Sequence, residues 1–379
     1  MKLCIFPSDP IEDIVRKGEV KPGYLNPENI FDEIYIINPS HNKVEIDLIQ
    51  KMAGTAKIII HPIGKINLIN LLKEKKSILN LVKIVAPDVI RSYNPLIQGY
   101  LAAYCSNKLK IPFYLSLHAD YKNEIELEYK RSNQKMKYLK LLLTRMITEK
   151  KSITSADVVT CAYRSLIPYA KKSGAKRIEV VYNRVDLQQF NKNVKPAMKL
   201  EKPIILNVGN FRKIKNQECL IHAIKELDVF LVFIGRGEML EEMRTLVKKL
   251  NIEKKVIFIE AVEHSKIQNY YASALIHAMP IKGSGIPIPA LEGLASGCIT
   301  VMAEPNREKD ESIDAFVTYV KNDPQSFRSA FLEILDHIDK YKNKTLAAKE
   351  VLLKISSEEM EKKESGIYQS LIKTSKKGF

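Results

Sequence analysis

Glycines and charged side chains follow a strand-like segment near the middle of the second half of this sequence, where they could bind a phosphate group. The run from Pro280 to Gly297 contains Gly283 and Gly285 and then a helical pattern that begins at two prolines. Backbone N–H groups at the start of a helix point toward an anion, and the helix dipole favours its negative charge. Glu292 lies in the first turns of that helix, within reach of a ligand's hydroxyl groups. The run therefore predicts a nucleotide-diphosphate site, although such turns are also common structural features of α/β proteins.

A second run of this kind carries cations. Asn207 to Asn216 follows a predicted strand, precedes a predicted helix and contains Arg212 and Lys215. Cations at the carboxyl end of a strand could neutralise a diphosphate leaving group, most effectively where water is excluded. A basic surface turn is the alternative interpretation.

One histidine stands out by its position. His118 follows a predicted strand that ends near Leu117, so its imidazole could face a ligand, although a structural role is the commoner one for such a histidine. The other histidines have no metal-ligand spacing, and the sequence has no Asp-x-Asp pair and no Walker run. We therefore predict no metal site and no P-loop chemistry.

Length and composition indicate a globular protein of two domains. The chain has 379 residues, of which 45% are hydrophobic and 27% charged. Its five cysteines are scattered and odd in number, which favours reduced core residues over a disulfide or zinc framework. The first ten residues lack the apolar segment of a signal peptide, and no apolar run approaches the length of a membrane span. These features predict a cytoplasmic protein.

The charge is strongly positive, with a formal net charge of +16. Such a balance favours nucleic acid, an anionic membrane surface or polyanionic substrates, unless the lysines simply contact solvent. No nucleic-acid recognition motif is present, so we expect no specific nucleic acid as a partner.

Buried strand-like runs alternate with helical patterns along two stretches of similar size, which predicts two Rossmann-like domains with parallel sheets. The polar, proline-containing segment between them interrupts this alternation. We therefore predict an N-terminal domain, a linker, a C-terminal domain and a final helical segment, over residues 1–190, 191–203, 204–355 and 356–379 respectively.

One segment of the first domain is both basic and apolar. Residues 131–151 carry seven Lys or Arg side chains against the single acid Glu149, and apolar residues recur there at helical spacing, namely Met136, Leu139, Leu143, Met146 and Ile147. This pattern predicts a basic amphipathic helix. Two interpretations remain open: a helix that contacts an anionic membrane surface, or one whose apolar stripe packs on the sheet.

The run from Gly285 through Glu292 to Gly297 resembles the signature of the retaining glycosyltransferases of family four, which belong to glycosyltransferase group 1 and have the GT-B fold. That signature pairs two glutamates. Glu292 matches the second, whereas Ser284 stands in place of the first. The resemblance implies an α/β fold of two Rossmann-like domains that face a cleft. The N-terminal domain would lie on the acceptor side, the C-terminal domain would bind the nucleotide sugar, and the C-terminal helix would cross back and pack on the N-domain.

Other segments resemble the same family. Lys215 matches a lysine that holds the donor diphosphate, while Asn210 stands where an arginine is usual and Arg212 lies two positions on. His118 resembles a histidine close to the donor sugar. The resemblance thus implies His118, Lys215 and Glu292 as catalytic residues. It implies a donor site made of Gly209, Asn210, Arg212, Lys215, Gly235, Arg236, Ala261, Val262, Ser284, Gly285, Ile286, Pro287 and Glu292.

The function implied is a retaining, metal-independent hexosyl- or related glycosyltransferase without a cofactor. It would move a sugar from a nucleotide-diphosphate donor to a glycan or lipid-linked acceptor, in the cytoplasm and peripherally on the inner face of the membrane. Ser284 and Asn210 motivate one alternative, a catalytically weakened nucleotide-sugar-binding or partner subunit. A nucleotide-sugar epimerase on the same fold is another.

Overall fold

The chain forms two compact α/β units. A computed structural model describes residues 1–16, 20–131, 133–191, 193–281, 283, 285–309 and 311–377. Unit 1 consists of Met1–Tyr182 together with Met360–Phe379, and unit 2 of Asn183–Glu359.

Unit 1 contains a parallel sheet of seven strands in the order β3-β2-β1-β4-β5-β6-β7. Its strands are β1 (Lys2–Phe6), β2 (Glu33–Asn38), β3 (Lys57–Pro62), β4 (Val89–Ser92), β5 (Phe113–Leu117), β6 (Val158–Cys161) and β7 (Ile178–Val180). The central strands β4, β5 and β6 are buried along their whole length. Helices cover both faces of a parallel sheet, which explains the nearly continuous apolar runs in the sequence.

The helices of unit 1 connect these strands. They are α1 (Ile11–Arg16), α2 (Ile46–Ala53), α3 (Leu71–Val85), α4 (Ile97–Leu109), α5 (Leu127–Arg131), α6 (Lys135–Ser155) and α7 (Ile167–Lys172). The predicted helix over residues 131–151 is divided. α5 ends at Arg131, and α6 begins only at Lys135 because Asn133 adopts the left-handed conformation, with φ of 56°. Ser132 lies outside the described residues.

Unit 2 contains a parallel sheet of six strands in the order β10-β9-β8-β11-β12-β13. Its strands are β8 (Ile204–Val208), β9 (Phe230–Ile234), β10 (Val256–Ile259), β11 (Ile276–Met279), β12 (Ile299–Ala303) and β13 (Thr318–Val320). The chain builds outward from β8 to β10 and then returns to place β11 on the other side of β8. The strand order therefore reverses between β8 and β11, the position where open parallel sheets bind ligands beyond their carboxyl ends.

Seven helices surround this second sheet among the described residues. They are α8 (Gln217–Ala223), α9 (Leu240–Lys249), α10 (Ile267–Tyr271), α11 (Ile288–Ala295), α12 (Pro324–Asp336), α13 (Ile338–Ala347) and α14 (Lys349–Lys354). α12 begins at a proline, and the Asp323 side chain accepts a hydrogen bond from Ser326 N at 2.8 Å, which caps the helix.

The last helix, α15 (Ser357–Lys377), returns the chain to unit 1. Tyr368 and Leu371 of this helix are buried. The Tyr368 ring stacks on Tyr114 of β5 at 4.7 Å and meets the edge of Phe31 at 5.1 Å. α15 is thus part of the core of unit 1.

The segment that joins the units packs with unit 2. Residues 183–190, which the sequence assigned to the first domain, include Phe190, which is buried and contacts the rings of His264 and Tyr271. The predicted linker beyond them is also attached there, because Ala197 N donates to Asn269 O at 2.8 Å. Aromatic packing rather than polarity sets this boundary.

All five cysteines are free and buried, as the sequence predicted. Among the described residues, no helix combines the length and the apolar character needed to cross a membrane.

Candidate functional site

Backbone hydrogen bonds join the segments after β8 and β9 to each other and to the ends of neighbouring strands at the carboxyl edge of the unit 2 sheet. Gly209 N, after β8, donates to Ile234 O at 2.9 Å. Gly235 N, after β9, donates to Ile259 O at the same distance. Farther along, Phe211 N donates to Arg236 O at 2.9 Å. The segments that follow β8 and β9 therefore continue the hydrogen-bonded layer of the sheet, and they include the predicted donor-site residues Gly209, Asn210, Gly235 and Arg236.

Two glycines allow these loops to approach closely. A Cβ atom at Gly235 would lie 2.1 Å from Gly209 O, and one at Gly237 would lie 2.3 Å from Phe211 O. Both contacts are with backbone, which cannot rotate away. A Cβ at Gly209, in contrast, would meet no described atom within 4 Å. Gly209 therefore borders open space on the side where a ligand could lie.

The predicted cations follow Gly209. Asn210 and Arg212 are exposed, and Lys215 is half-buried at the end of a short 3-10 turn over Lys213–Lys215. Within the described residues Arg212 forms no ion pair. A cationic side chain is thus available beyond the end of β8, close to the switch point.

An asparagine bridge that the sequence did not reveal links this loop to the one after β11. Asn216 Nδ2 donates to Asn322 Oδ1 at 2.7 Å, and Asn322 Nδ2 donates to Pro280 O at 3.0 Å. Asn216 lies immediately before α8 and adopts the left-handed conformation, with φ of 51°. Asn322 follows β13, far from both partners in the sequence, so only the fold brings the three together.

The loop after β11 is described in part. Lys282 and Ser284 lie outside the described residues, so the structure gives no position for the predicted contact of Ser284. Ile286 is buried, and Pro287 is the N-cap of α11. Pro287 and Pro289 have no N–H, so the donors that remain at this terminus come from Gly285, Ile286 and Ile288.

Glu292, in the second turn of α11, is buried rather than open to solvent, at 4% exposure. The Tyr271 hydroxyl donates to its Oε2 at 3.1 Å, and His264 Nε2 lies 3.3 Å from its Oε1. Burial, followed by the Glu292 charge, raises the pKa of Tyr271 well above its ordinary value, so this hydroxyl stays protonated. The carboxylate is therefore oriented by groups from the loop before α10 and from the end of α10.

A buried histidine, His277, lies behind this cluster. Both ring nitrogens of His277 lack a hydrogen-bond partner among the described residues, and the ring contacts the edge of Tyr271 at 5.3 Å. Burial lowers the pKa of His277 to about 4, and the charge of Glu292 opposes that shift. A Cβ at Gly293 would lie 2.8 Å from His277 Nδ1, which explains a glycine inside α11. The sequence assigned no chemistry to His264 or His277, because only the tertiary contacts connect them with Glu292.

The loop after β10 carries the remaining predicted contacts. Ala261 is exposed and Val262 half-buried. Arg236 Nε lies 3.8 Å from Glu260 Oε2, and Arg244 of α9 approaches the other oxygen of that carboxylate at 3.6 Å. Glu260 thus lies close to two arginines at the sheet edge, Arg236 after β9 and Arg244 in α9. Because these side chains contact solvent, the ion pairs contribute little to the free energy of folding.

His118 belongs to unit 1, at the carboxyl end of β5. Its ring lies parallel to that of Tyr93 at 6.2 Å. Desolvation and, after it, the positive charge of Arg91 lower the pKa of His118 to about 4. His118 is exposed, and the nearby Arg91 cation disfavours a second positive charge there. The imidazole is therefore neutral at pH 7.

Sequence reasoning did not identify Arg91, at the third position of β4, as a residue of this region. It is buried and pairs with Glu364 of α15. Its guanidinium lies 4.2 Å from the centre of the Tyr93 ring, the same ring that faces His118. A cation and a histidine thus share one aromatic partner, and α15 supplies the counter-charge.

No group of three or more His, Cys, Asp or Glu side chains converges as metal ligands in the part of the chain that the structure describes.

Residues 188–351 match the protein-family model described as glycosyl transferases group 1. The N-acetylgalactosamine-N,N'-diacetylbacillosaminyl-diphospho-undecaprenol 4-alpha-N-acetylgalactosaminyltransferase of Campylobacter jejuni is 29% identical over 177 residues, which are 45% of this chain and 48% of that protein. The chain therefore spans about half the length of that relative.

Two solved structures are similar over nearly the whole chain. Sucrose-phosphate synthase from Thermosynechococcus elongatus is 14% identical with a TM-score of 0.75, and the match covers 99% of this chain and 100% of that one. Anabaena HepE in complex with UDP-glucose is 12% identical with a TM-score of 0.70, over 98% of this chain and 100% of that one. At such identities the likeness concerns the fold: the two parallel sheets have the α/β architecture of GT-B glycosyltransferase structures.

Proposed function

We propose that this chain, which carries a glycosyl transferases group 1 domain at residues 188–351, is a retaining glycosyltransferase of family four. It would move a hexosyl or related sugar from a nucleotide-diphosphate donor to a glycan or lipid-linked acceptor. The observation that carries the proposal is the arrangement at the switch point of unit 2. There the open side of Gly209, the exposed Arg212 and the start of α11 border one edge of the sheet.

The proposed chemistry is mainly charge stabilisation. Arg212 and Lys215 would neutralise the leaving diphosphate, and the N–H groups of Gly285 and Ile286 would assist at the start of α11. In a retaining reaction with attack from the front face, the leaving phosphate itself takes the acceptor's proton. The protein then needs to position the reactants and hold their charge, and we propose that it does so without a metal or a cofactor.

Glu292 would bind the ribose of the donor. The Tyr271 hydroxyl donates to Oε2, and Oε1 lies beside His264. We propose that a ribose hydroxyl donates to Oε1. His118 would lie beside the donor sugar as a neutral hydrogen-bonding group. Ala261 and Val262 would contact the base through their backbone, with Pro287 and Ser284 completing the site.

We further propose a uridine diphosphate sugar as the first donor to test, because Anabaena HepE was solved with UDP-glucose. The acceptor we propose is a lipid-linked glycan, as the name of the Campylobacter relative indicates for that protein. The protein would then work in the cytoplasm, at the inner face of a membrane.

The experiment is a thermal-shift panel of nucleotide diphosphates and nucleotide sugars. A saturating ligand should raise the melting temperature by about 5 °C through mass action. We expect Lys215→Ala and Glu292→Ala to abolish the shift, whereas Lys248→Ala, an exposed lysine of α9, should leave it unchanged. No shift with any nucleotide would contradict the donor site.

Turnover assays on the same proteins separate the alternatives. Sugar transfer that requires an acceptor supports the proposal. Binding without turnover would instead indicate a weakened binding or partner subunit. Product formed from the donor alone would indicate an epimerase.

A further inference from the structure

Helix α6 turns its apolar side toward solvent. Five large apolar side chains of this helix are exposed, with exposed fractions of 81%, 49%, 46%, 73% and 44% for Met136, Leu139, Leu143, Met146 and Ile147 respectively. At about 100° per residue these positions fall within an arc of roughly 100° on the helix surface. They therefore form one continuous stripe, which we call the α6 outer face.

The buried side of α6 is mostly small or polar, with Leu141 and Ile153 as its buried apolar residues. Thr144, Thr148 and Ser152 are buried, and each hydroxyl donates to the carbonyl four residues earlier, at 2.8, 2.7 and 2.8 Å respectively. These bonds satisfy the hydroxyls inside the helix, so small side chains can pack closely on α4. The interpretation that places the apolar stripe on the sheet is therefore wrong, because the stripe residues are exposed and other side chains of α6 face the core.

The charge of the outer face has one sign. The exposed lysines of α6 are Lys135, Lys137, Lys140, Lys150 and Lys151. The single acid of the helix, Glu149, is buried and pairs with Arg145, whose guanidinium also pairs with Glu126. Nothing on α6 neutralises the exposed lysines.

We propose that the α6 outer face is a docking surface for an anionic phospholipid bilayer. Apolar side chains at the centre of a helix face can enter the headgroup region while lysines around them contact lipid phosphates. A second copy of this chain fits less well, because a symmetric contact would bring each cluster of lysines against its own copy. The positive charge of the face selects anionic lipid.

The position of α6 relates this surface to the proposed transfer reaction. The helix starts after β5 and ends before β6, so Met136 and Leu139 lie toward the same sheet edge as His118. A bilayer on the outer face would present membrane-bound acceptors near that edge. This last step rests on the proposed function, whereas binding to the bilayer itself does not.

The test is flotation of the purified protein with two kinds of vesicle. One consists of phosphatidylcholine alone, and the other contains phosphatidylcholine with about 30 mol% phosphatidylglycerol. We expect binding only to the anionic vesicles, and weaker binding at about 0.5 M salt than at about 0.1 M. The double variants Leu143→Gln/Met146→Gln and Lys140→Glu/Lys151→Glu should each reduce the partition coefficient by about tenfold or more. All four residues are exposed, so folding should be unaffected.

Matched controls come from unit 2. Leu332→Gln/Leu353→Gln removes two other exposed leucines, and Lys248→Glu/Lys249→Glu reverses two other exposed lysines. Both controls should bind vesicles like the unaltered protein. Equal losses in the controls and in the α6 variants would overturn the proposal, because net charge and general apolarity would then explain the binding.

Absence of binding to anionic vesicles would also overturn it. If sedimentation then showed a dimer that Leu143→Gln/Met146→Gln separates, the outer face would be a self-association surface. Nucleotide thermal shifts on the same variants keep the two proposals apart, since a failed donor site would abolish the shift and leave flotation unchanged.

Discussion

At the scale of single residues, the most informative group is the carboxylate of Glu292. It is buried, and its two oxygens have different neighbours, Tyr271 and His264. Removal of one donor from a buried acceptor costs more than removal of a bond at the surface, because the acceptor loses its partner without regaining water.

We therefore expect Tyr271→Phe to lower the free energy of unfolding by about 2 kcal/mol. Tyr341→Phe is the control: its hydroxyl donates to Glu333 at 2.7 Å, but that carboxylate is half exposed, at 52%. Its loss should be below about 1 kcal/mol. Urea unfolding of both variants measures the difference. Equal losses would show that burial of Glu292 does not increase the cost of losing this hydrogen bond.

His277 should make stability sensitive to acid. Its folded-state pKa of about 4 lies below the ordinary value of 6.5, so the unfolded chain binds a proton that the folded chain does not. Above pH 6.5 His277 is neutral in both states and does not reduce stability. As the pH falls from 6.5 toward 4, the free energy of unfolding should decrease by up to about 3 kcal/mol.

The substitution His277→Leu should remove that part of the pH dependence. Unfolding free energies at neutral and acid pH should differ less in this variant than in the unaltered protein. His337→Leu, at an exposed histidine, should behave like the unaltered protein. An unchanged pH dependence in His277→Leu would mean that other groups control the acid response.

At the scale of elements, the loops after β8 and β9 depend on glycine. Gly235→Ala would place Cβ 2.1 Å from Gly209 O, so we expect a loss of about 2 kcal/mol and a weaker nucleotide thermal shift. Gly366→Ala is the control. That glycine is exposed inside α15 with no atom within 4 Å of the new Cβ, so alanine should raise stability by about 0.5–1 kcal/mol. Equal effects at both positions would contradict the close approach of the two loops.

At the scale of the whole molecule, α15 connects the end of the chain with the core of unit 1. Arg91 and Glu364 are both buried, and Tyr368 also accepts from the guanidinium at 2.7 Å. We expect Glu364→Gln to destabilise unit 1 by about 3 kcal/mol, because it leaves the Arg91 charge buried without a counter-charge.

Hydrogen exchange measured by mass spectrometry should report this change separately for each unit. Protection should fall in β4 and β5 and stay constant in β8 and β9. The double variant Arg91→Met/Glu364→Met should recover part of the loss, since it removes both charges. Loss of protection throughout both sheets would indicate that the two units unfold together.

The sequence by itself determined the strands and the kind of sheet. The two stretches of strand-like runs form two parallel sheets, as predicted, since a parallel strand buried on both faces is apolar nearly throughout. The glycine loops after β8, β9 and β11 were also predictable, because glycine and proline restrict the backbone locally.

Only the tertiary structure decided which residues meet. The bridge through Asn322, the pairing of Glu292 with Tyr271 and His264, and the ion pair between Arg91 and Glu364 each join residues that are distant in sequence. For α6 the sequence showed an apolar stripe without its direction. Helical periodicity describes how side chains are arranged around one axis, whereas the neighbouring helix α4 determines which side of that axis faces the core.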